Sequence, residues 1–162
     1  MITMVEISSI QVNGSITSNS EKVMTQSSKM MKKMIFGAVG AFVFVFLFEF
    51  LVHGFLMKGM YEATISVWRP QAESSMPVMF LSQFLFALAV AFFYPIVGPD
   101  KNCKKAMPFG FGLGLVMAMP AIGTYSYLPI PMTISLCWAA AAFFKALGTT
   151  VIVAKIFNRW GC

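Results

Sequence analysis

The stretch MIFGAVGAFVFVFLFEFLVHGFLM, residues 34–57, constrains the fold of this chain more than any other feature. It is apolar and long enough to cross a bilayer as one helix, which needs about 20 residues. The run nevertheless contains Glu49 and His53, which are four positions apart and therefore project from one helical face. Because a carboxylate at membrane depth is costly, we predict that this face contacts protein or water instead of lipid.

The rest of the chain repeats this apolar character. The sequence is 58% hydrophobic and 11% charged, whereas a soluble domain averages about 25% charged residues. We therefore predict an all-α fold, a four-transmembrane-helix bundle with spans near 34–57, 77–98, 107–128 and 132–157. The sequence contains no phosphate-binding loop, nucleophile elbow or pair of catalytic acids, so we do not expect an enzyme.

The basic residues flank the apolar runs and do not form one patch, which argues against a nucleic-acid partner. With both termini in the cytoplasm, nine of the twelve Lys and Arg residues lie on the inner side. Lys58 and Arg69 then lie outside, and Lys145 lies within the membrane. This bias predicts a multi-pass protein with four spans and with both termini in the cytoplasm.

Two segments outside the spans have their own patterns. Residues 1–33 are rich in Ser, Thr, Asn and Gln and are predicted to be a polar, flexible cytoplasmic tail, with a small hairpin at Asn13–Gly14 as the alternative. Residues 58–69 carry apolar side chains at helical spacing, which predicts an amphipathic interfacial helix or a continuation of the first span. Within it, Tyr61, Trp68 and Arg69 are candidate interface anchors.

The third span carries the residues that we expect to govern helix packing. Gly110 and Gly114 have the four-residue spacing of small residues that allows two helices to approach closely. Pro120 lies within the same span and predicts a kink. The short connection Pro129–Pro131 makes spans three and four antiparallel neighbours.

Glu49 and Lys145 are the two ionisable residues near the middle of the membrane, and their depths agree to about 8 Å at a rise of about 1.5 Å per residue. We therefore predict an intramembrane Glu49–Lys145 pair across spans one and four. The pair can lock helix packing, or it can take part in proton or ion movement. In a third alternative no pair forms, and Lys145 extends towards an interface.

A metal site is a weaker alternative for Glu49 and His53. Both side chains project from one face, but a site needs three or four ligands, and the sequence contains one histidine. Glu62 is the other acidic residue expected on that side. The sequence leaves the cofactor open, because the phenylalanine-rich helices would accept a pigment, a quinone or a lipid.

The segment FEFLVHGFLMKGMYEATISVWRP resembles a pattern in small, uncharacterised bacterial four-helix inner-membrane proteins, in which the first span ends in His-Gly and is followed by Tyr, Thr and Trp-Arg-Pro. The matching residues here are His53, Gly54, Tyr61, Thr64, Trp68, Arg69 and Pro70. The resemblance implies a bacterial inner-membrane protein and implies no reaction.

Two functions from different classes follow from these observations. The first is a non-catalytic subunit or accessory and assembly protein of a larger membrane complex, with lipid and other membrane subunits as partners. The second is a small transporter, or a proton- or ion-conducting protein, that uses Glu49, His53 and Lys145.

Overall fold

The computed structural model of the protein describes residues 4–97 and 103–159, and these residues are helical apart from short connections. The α-helices are α1 (Met4–Glu49), α2 (Lys58–Glu62), α3 (Met76–Val97), α4 (Cys103–Gly123) and α5 (Met132–Arg159). A π-helical segment, Phe50–Leu56, follows α1 directly. Short 3₁₀ turns cover Ile65–Val67, Gln71–Glu73 and Thr124–Ser126.

Four helical stretches are long and apolar enough to cross a membrane. They are Asn19–Leu56, Met76–Ile96, Ala106–Ser126 and Met132–Asn158. Each overlaps a span predicted from the sequence, so the all-α class and the four candidate spans are confirmed for the described residues.

The N-terminal region is helical where the structure describes it, and its flexibility stays a prediction. The described residues from Met4 to Lys33 belong to α1, and the Asn13–Gly14 pair lies inside that helix instead of turning a hairpin. The first proline of the sequence is Pro70, so no residue of α1 removes a backbone donor. The chain divides into two units at the boundary between Lys33 and Met34.

The segment after the first span was predicted to be an amphipathic interfacial helix or a continuation of that span, and in the structure it is divided. It forms the five-residue α2 and then the 3₁₀ turn Ile65–Val67, with Thr64 in a non-helical conformation between them. The Thr64 hydroxyl donates a hydrogen bond to the Met60 carbonyl at 2.8 Å, and such side-chain bonds compete with helix continuation.

The unit that begins at Met34 contains two apolar clusters along α5. The first, which we call the Tyr94 cluster, comprises Ala38, Ala41, Ala87, Val90, Ala91, Tyr94, Ala106, Val153 and Ala154. The second, the Met57 cluster, comprises Met57, Ile130 and Ile134. On α5, Lys145 is about 17 Å from Ile134 and about 12 Å from Val153 at the helical rise. The basic side chain therefore lies between two apolar regions.

Helices α4 and α5 approach each other closely at the glycines that the sequence singled out. A Cβ atom added at Gly110 would lie 3.1 Å from Thr150 Cβ, and one added at Gly114 would lie 2.7 Å from Phe143 Cδ2. A side chain at Gly114 would therefore force Phe143 to move, and one at Gly110 would require a shift of a few tenths of an ångström. Helix α4 continues through Pro120 to Gly123.

Candidate functional site

The acid of the first span and the amine of the last lie side by side. Lys145 Nζ donates a hydrogen bond to Glu49 Oε1 at 2.5 Å, and each side chain is 18% exposed. The pair joins α1 to α5 across 96 positions of the chain. The Lys145 ammonium also lies 5.6 Å from the centre of the Phe86 ring on α3, a distance at which the ring face attracts a cation.

His53 extends this pair towards the short helix α2. Its Nε2 atom lies 3.0 Å from Glu49 Oε2, and its Nδ1 atom lies 2.5 Å from the Tyr61 hydroxyl. The imidazole and phenol rings are also nearly parallel, with centres 6.1 Å apart. The three side chains therefore form one line of hydrogen bonds from α1 through the π-helical segment to α2.

The direction of these hydrogen bonds follows from the groups that can only donate. The Trp138 indole N–H donates to the Tyr61 oxygen at 2.7 Å, which leaves the phenol proton for His53 Nδ1. The alternative acceptor, Met57 Sδ, is 3.6 Å away and is weaker. A neutral His53 then carries its proton on Nε2 and donates to Glu49. Every donor in the line therefore points towards the Glu49 carboxylate.

The local backbone conformation places His53 in this line. Residues Phe50–Leu56 form a π-helix, closed by a hydrogen bond from the Met57 N–H to the Val52 carbonyl at 2.8 Å. Short π-helical insertions are rare and occur frequently at functional sites. The wider turn begins directly after Glu49. Glu49 is therefore the last residue of α1, and His53 lies in the π-helical segment.

Aromatic packing fixes the end of the line near α2. Trp68 packs edge-on against Tyr61 with ring centres 5.4 Å apart, and it packs against Trp138 at 5.7 Å. The Trp68 indole N–H donates to Thr64 Oγ1 at 2.9 Å. These contacts hold the phenol of Tyr61 where it can reach both Trp138 and His53.

Burial favours the neutral form of Tyr61. It raises the pKa of the phenol above its ordinary value of 10.0, the hydrogen bond from Trp138 opposes this rise, and the negative charge of Glu49 adds to it. The folded protein therefore holds the phenol proton more tightly than the unfolded chain. The resulting stabilisation is complete below the ordinary pKa and is lost as the pH rises through the raised value. Tyr61 is thus a hydrogen-bond donor throughout the physiological range.

The other candidate residues fall into separate groups. Among the described residues, no three His, Cys, Asp or Glu side chains come close enough to hold a metal ion. Glu62 lies outside the line, where it pairs with Lys58 at 3.8 Å on an exposed surface. Tyr61 and Trp68 are half-buried and pack against the Met57 cluster, whereas Arg69 is exposed. That these three residues anchor the protein at a membrane interface stays a prediction.

Sequence reasoning did not include Trp138 in the site and did not give Tyr61 its place in the line. Trp138 precedes Lys145 by seven positions, so both lie on one face of α5. That spacing was an available signal. No sequence signal indicated the π-helical turn.

Comparison with known proteins identified no matching family model, no similar curated protein and no similar solved structure.

Proposed function

We propose that the protein is a small proton carrier of a bacterial inner membrane, in which Glu49 takes up a proton through His53 and Tyr61. The observation that supports this function is the unbroken line of hydrogen bonds from Trp138 to Lys145, with every donor directed at Glu49. Ionisable groups inside membrane-spanning helices are rare and typically belong to transport pathways or proton relays.

The chemistry of the line favours a proton over a metal or alkali cation. A proton can pass along Tyr61 and His53 by exchange between hydrogen-bonded atoms, and no large ion needs to enter. Both carboxylate oxygens of Glu49 already have N–H partners, one from Lys145 and one from His53. A metal cation would have to displace the ammonium group, which is itself a cation.

The extent of the line favours a carrier over an open pore. The line of hydrogen bonds extends from the Met57 cluster to Lys145. The Tyr94 cluster lies beyond Lys145, towards the C-terminal end of α5. On that side the Thr149 hydroxyl donates to the Lys145 carbonyl at 2.7 Å, so it is already engaged. A proton on Glu49 therefore needs a rearrangement before it can leave on that side.

The direction of loading depends on the orientation of the protein in the membrane. The distribution of Lys and Arg favours N-in and C-in, which puts α2 and Tyr61 at the outer face. Glu49 then loads from outside, and release requires the rearrangement towards the cytoplasm.

Glu49→Gln is expected to lower proton flux in proteoliposomes to the level of protein-free vesicles, because an amide cannot take up the proton. Flux is measured with a trapped pH-sensitive dye under a potassium-diffusion potential. The control is Glu62→Gln, which makes the same change in the exposed pair with Lys58 and should retain wild-type flux. Wild-type flux in the Glu49 variant would show that the pair serves helix packing alone.

A second candidate function is that of an accessory subunit of a larger membrane complex, and a specific feature of α1 favours it. All residues from 19 to 32 are exposed. They include four large apolar side chains, Val23, Met24, Met30 and Met31, all at least 46% exposed. The spacing of Val23 to Met30 and of Met24 to Met31 places these side chains on one side of the helix, with Lys22 and Lys29 on another. A partner helix would cover such a stripe, since isolated helices in water are marginally stable.

The particle mass after gentle solubilisation tests the accessory function. We expect the protein to co-migrate with other membrane polypeptides, and Met30→Glu is expected to release them because it places a charge in the apolar stripe. Lys29→Glu, on the neighbouring basic side, is the matched control for the introduced charge. A particle that holds this polypeptide and no other would contradict the accessory function.

A further inference from the structure

Gln83 of α3 is partly buried and has an unused hydrogen-bond acceptor. It precedes Ala87, Val90 and Tyr94 on the buried stripe of α3, at positions that recur with helical spacing. Its Oε1 atom is buried and has no hydrogen-bond partner in the described part of the chain. Burial of a carbonyl oxygen without a hydrogen-bond donor costs folding free energy. We therefore expect this oxygen to accept a hydrogen bond in another state of the molecule.

Contacts between α3 and α5 place Gln83 at the level of Lys145. The two helices run parallel, because Phe86 and Tyr94 of α3 contact Lys145 and Phe157 of α5 in the same order along the chain. The Tyr94 and Phe157 rings lie 5.6 Å apart, and the Phe86 ring lies 5.6 Å from Lys145 Nζ. These contacts pair residues that differ by about 60 positions. Gln83 precedes Phe86 by less than one helical turn, so it lies beside the segment of α5 that carries Lys145.

The Lys145 ammonium has donors to spare. It carries three N–H groups, and among the described side chains Glu49 Oε1 is its one acceptor. The remaining close neighbour is the Phe86 ring, on the same helix as Gln83. The four-carbon stem of lysine can direct its ammonium to more than one acceptor by rotation.

We propose that the Gln83 amide oxygen is the second acceptor of Lys145, which the ammonium occupies when Glu49 is protonated. This inference rests on the proposed proton uptake by Glu49. The titratable groups that face Glu49 are Lys145 from α5 and His53 from the π-helical segment, with Tyr61 behind His53. A proton that arrives through His53 neutralises the carboxylate and removes the charge that holds Lys145. The ammonium keeps its three protons, leaves Glu49 Oε1 and donates to Gln83 Oε1. Lys145 then no longer covers the protonated carboxyl group of Glu49 on the side away from His53.

A double-mutant cycle tests whether the Lys145 ammonium can reach position 83. The cycle uses the purified protein in detergent micelles, and its readout is the melting temperature. Glu49→Gln leaves the ammonium without an anion and should lower the melting temperature. Adding Gln83→Glu to that variant should recover most of the loss, because the new carboxylate pairs with Lys145. In the wild-type background, where Glu49 already pairs with Lys145, the same Gln83→Glu change should lower the melting temperature. Destabilisation by Gln83→Glu in both backgrounds would overturn the proposal.

A second variant tests the proposal without requiring the Glu49→Gln protein to fold. Gln83→Leu is of similar volume, removes the unpartnered oxygen and leaves the Glu49–Lys145 pair in place. Its proton flux should fall about tenfold, which corresponds to the loss of one hydrogen bond to a charged group. Wild-type flux would overturn the role of Gln83. If instead Glu49→Gln retains flux while the sign of Gln83→Glu still reverses between backgrounds, the proton-carrier function fails and the second acceptor stands.

Discussion

Lys145→Met is expected to destabilise the folded protein by about 3–5 kcal/mol, because removal of one partner leaves the charge of Glu49 within the bundle without its counterion. The pair joins α1 to α5, and both side chains are mostly buried. Thermal unfolding of the purified protein in detergent micelles, followed by far-ultraviolet circular dichroism, measures the loss.

The exposed pair of Lys58 and Glu62 provides a matched control. Lys58→Met makes the same substitution in a pair whose side chains are 69% and 64% exposed and whose charged atoms are 3.8 Å apart. Exposed pairs contribute about 0–1 kcal/mol, so this variant should unfold close to the wild type. Equal unfolding temperatures of the Lys145 and Lys58 variants would contradict a buried, interacting pair.

The double variant Glu49→Gln/Lys145→Met separates stability from function. The loss in Lys145→Met comes from the uncompensated charge of Glu49, and the double variant contains no such charge, so it should recover most of that stability. We expect it to remain inactive in proton flux, because no carboxylate is left to load. A folded, inactive double variant would mean that the pair is present for proton movement and that helix packing alone does not require it.

The sequence was sufficient for the candidate spans and for the polar pair. The apolar runs are longer than the core helices of soluble proteins. Charged residues inside these runs are few, so the depths of Glu49 and Lys145 in the membrane could be compared directly. Depth follows from a constant rise per residue, so Glu49 and Lys145 could be brought together without knowledge of any side-chain contact.

The line beyond the pair depends on contacts that no local pattern encodes. The Tyr61 hydroxyl meets Trp138 from 77 positions away, and the bond from Tyr61 to His53 requires both α2 and the π-helical turn. Tyr61 was predicted to be an interface anchor because aromatic residues near span ends usually lie at the membrane surface, and this reasoning says nothing about its hydrogen-bond partners. The polar composition of residues 1–33 predicted a flexible tail. The described residues of that region, from Met4 onwards, belong to α1, whose sequence contains no proline that would interrupt a helix.

Gly114→Leu is expected to destabilise the protein by about 1–3 kcal/mol, because the new side chain must displace Phe143 and push α4 away from α5. The first added carbon alone would lie 2.7 Å from Phe143 Cδ2 and 3.1 Å from the Phe143 carbonyl oxygen. The ring can rotate away, but the backbone oxygen cannot move without moving α5. Thermal unfolding in detergent micelles measures the change.

Gly112 is the matched control, since an added Cβ there has nothing within 4 Å and the residue is exposed. Gly112→Leu gains the same helix propensity, about 1 kcal/mol over glycine, so the difference between the two variants isolates the clash. Phe143 precedes Lys145 by two positions, so a displaced α5 also draws the ammonium away from Glu49. We therefore expect Gly114→Leu to lower proton flux and Gly112→Leu to leave it unchanged. Equal stability of the two variants would mean that α4 and α5 are not in close contact at Gly114.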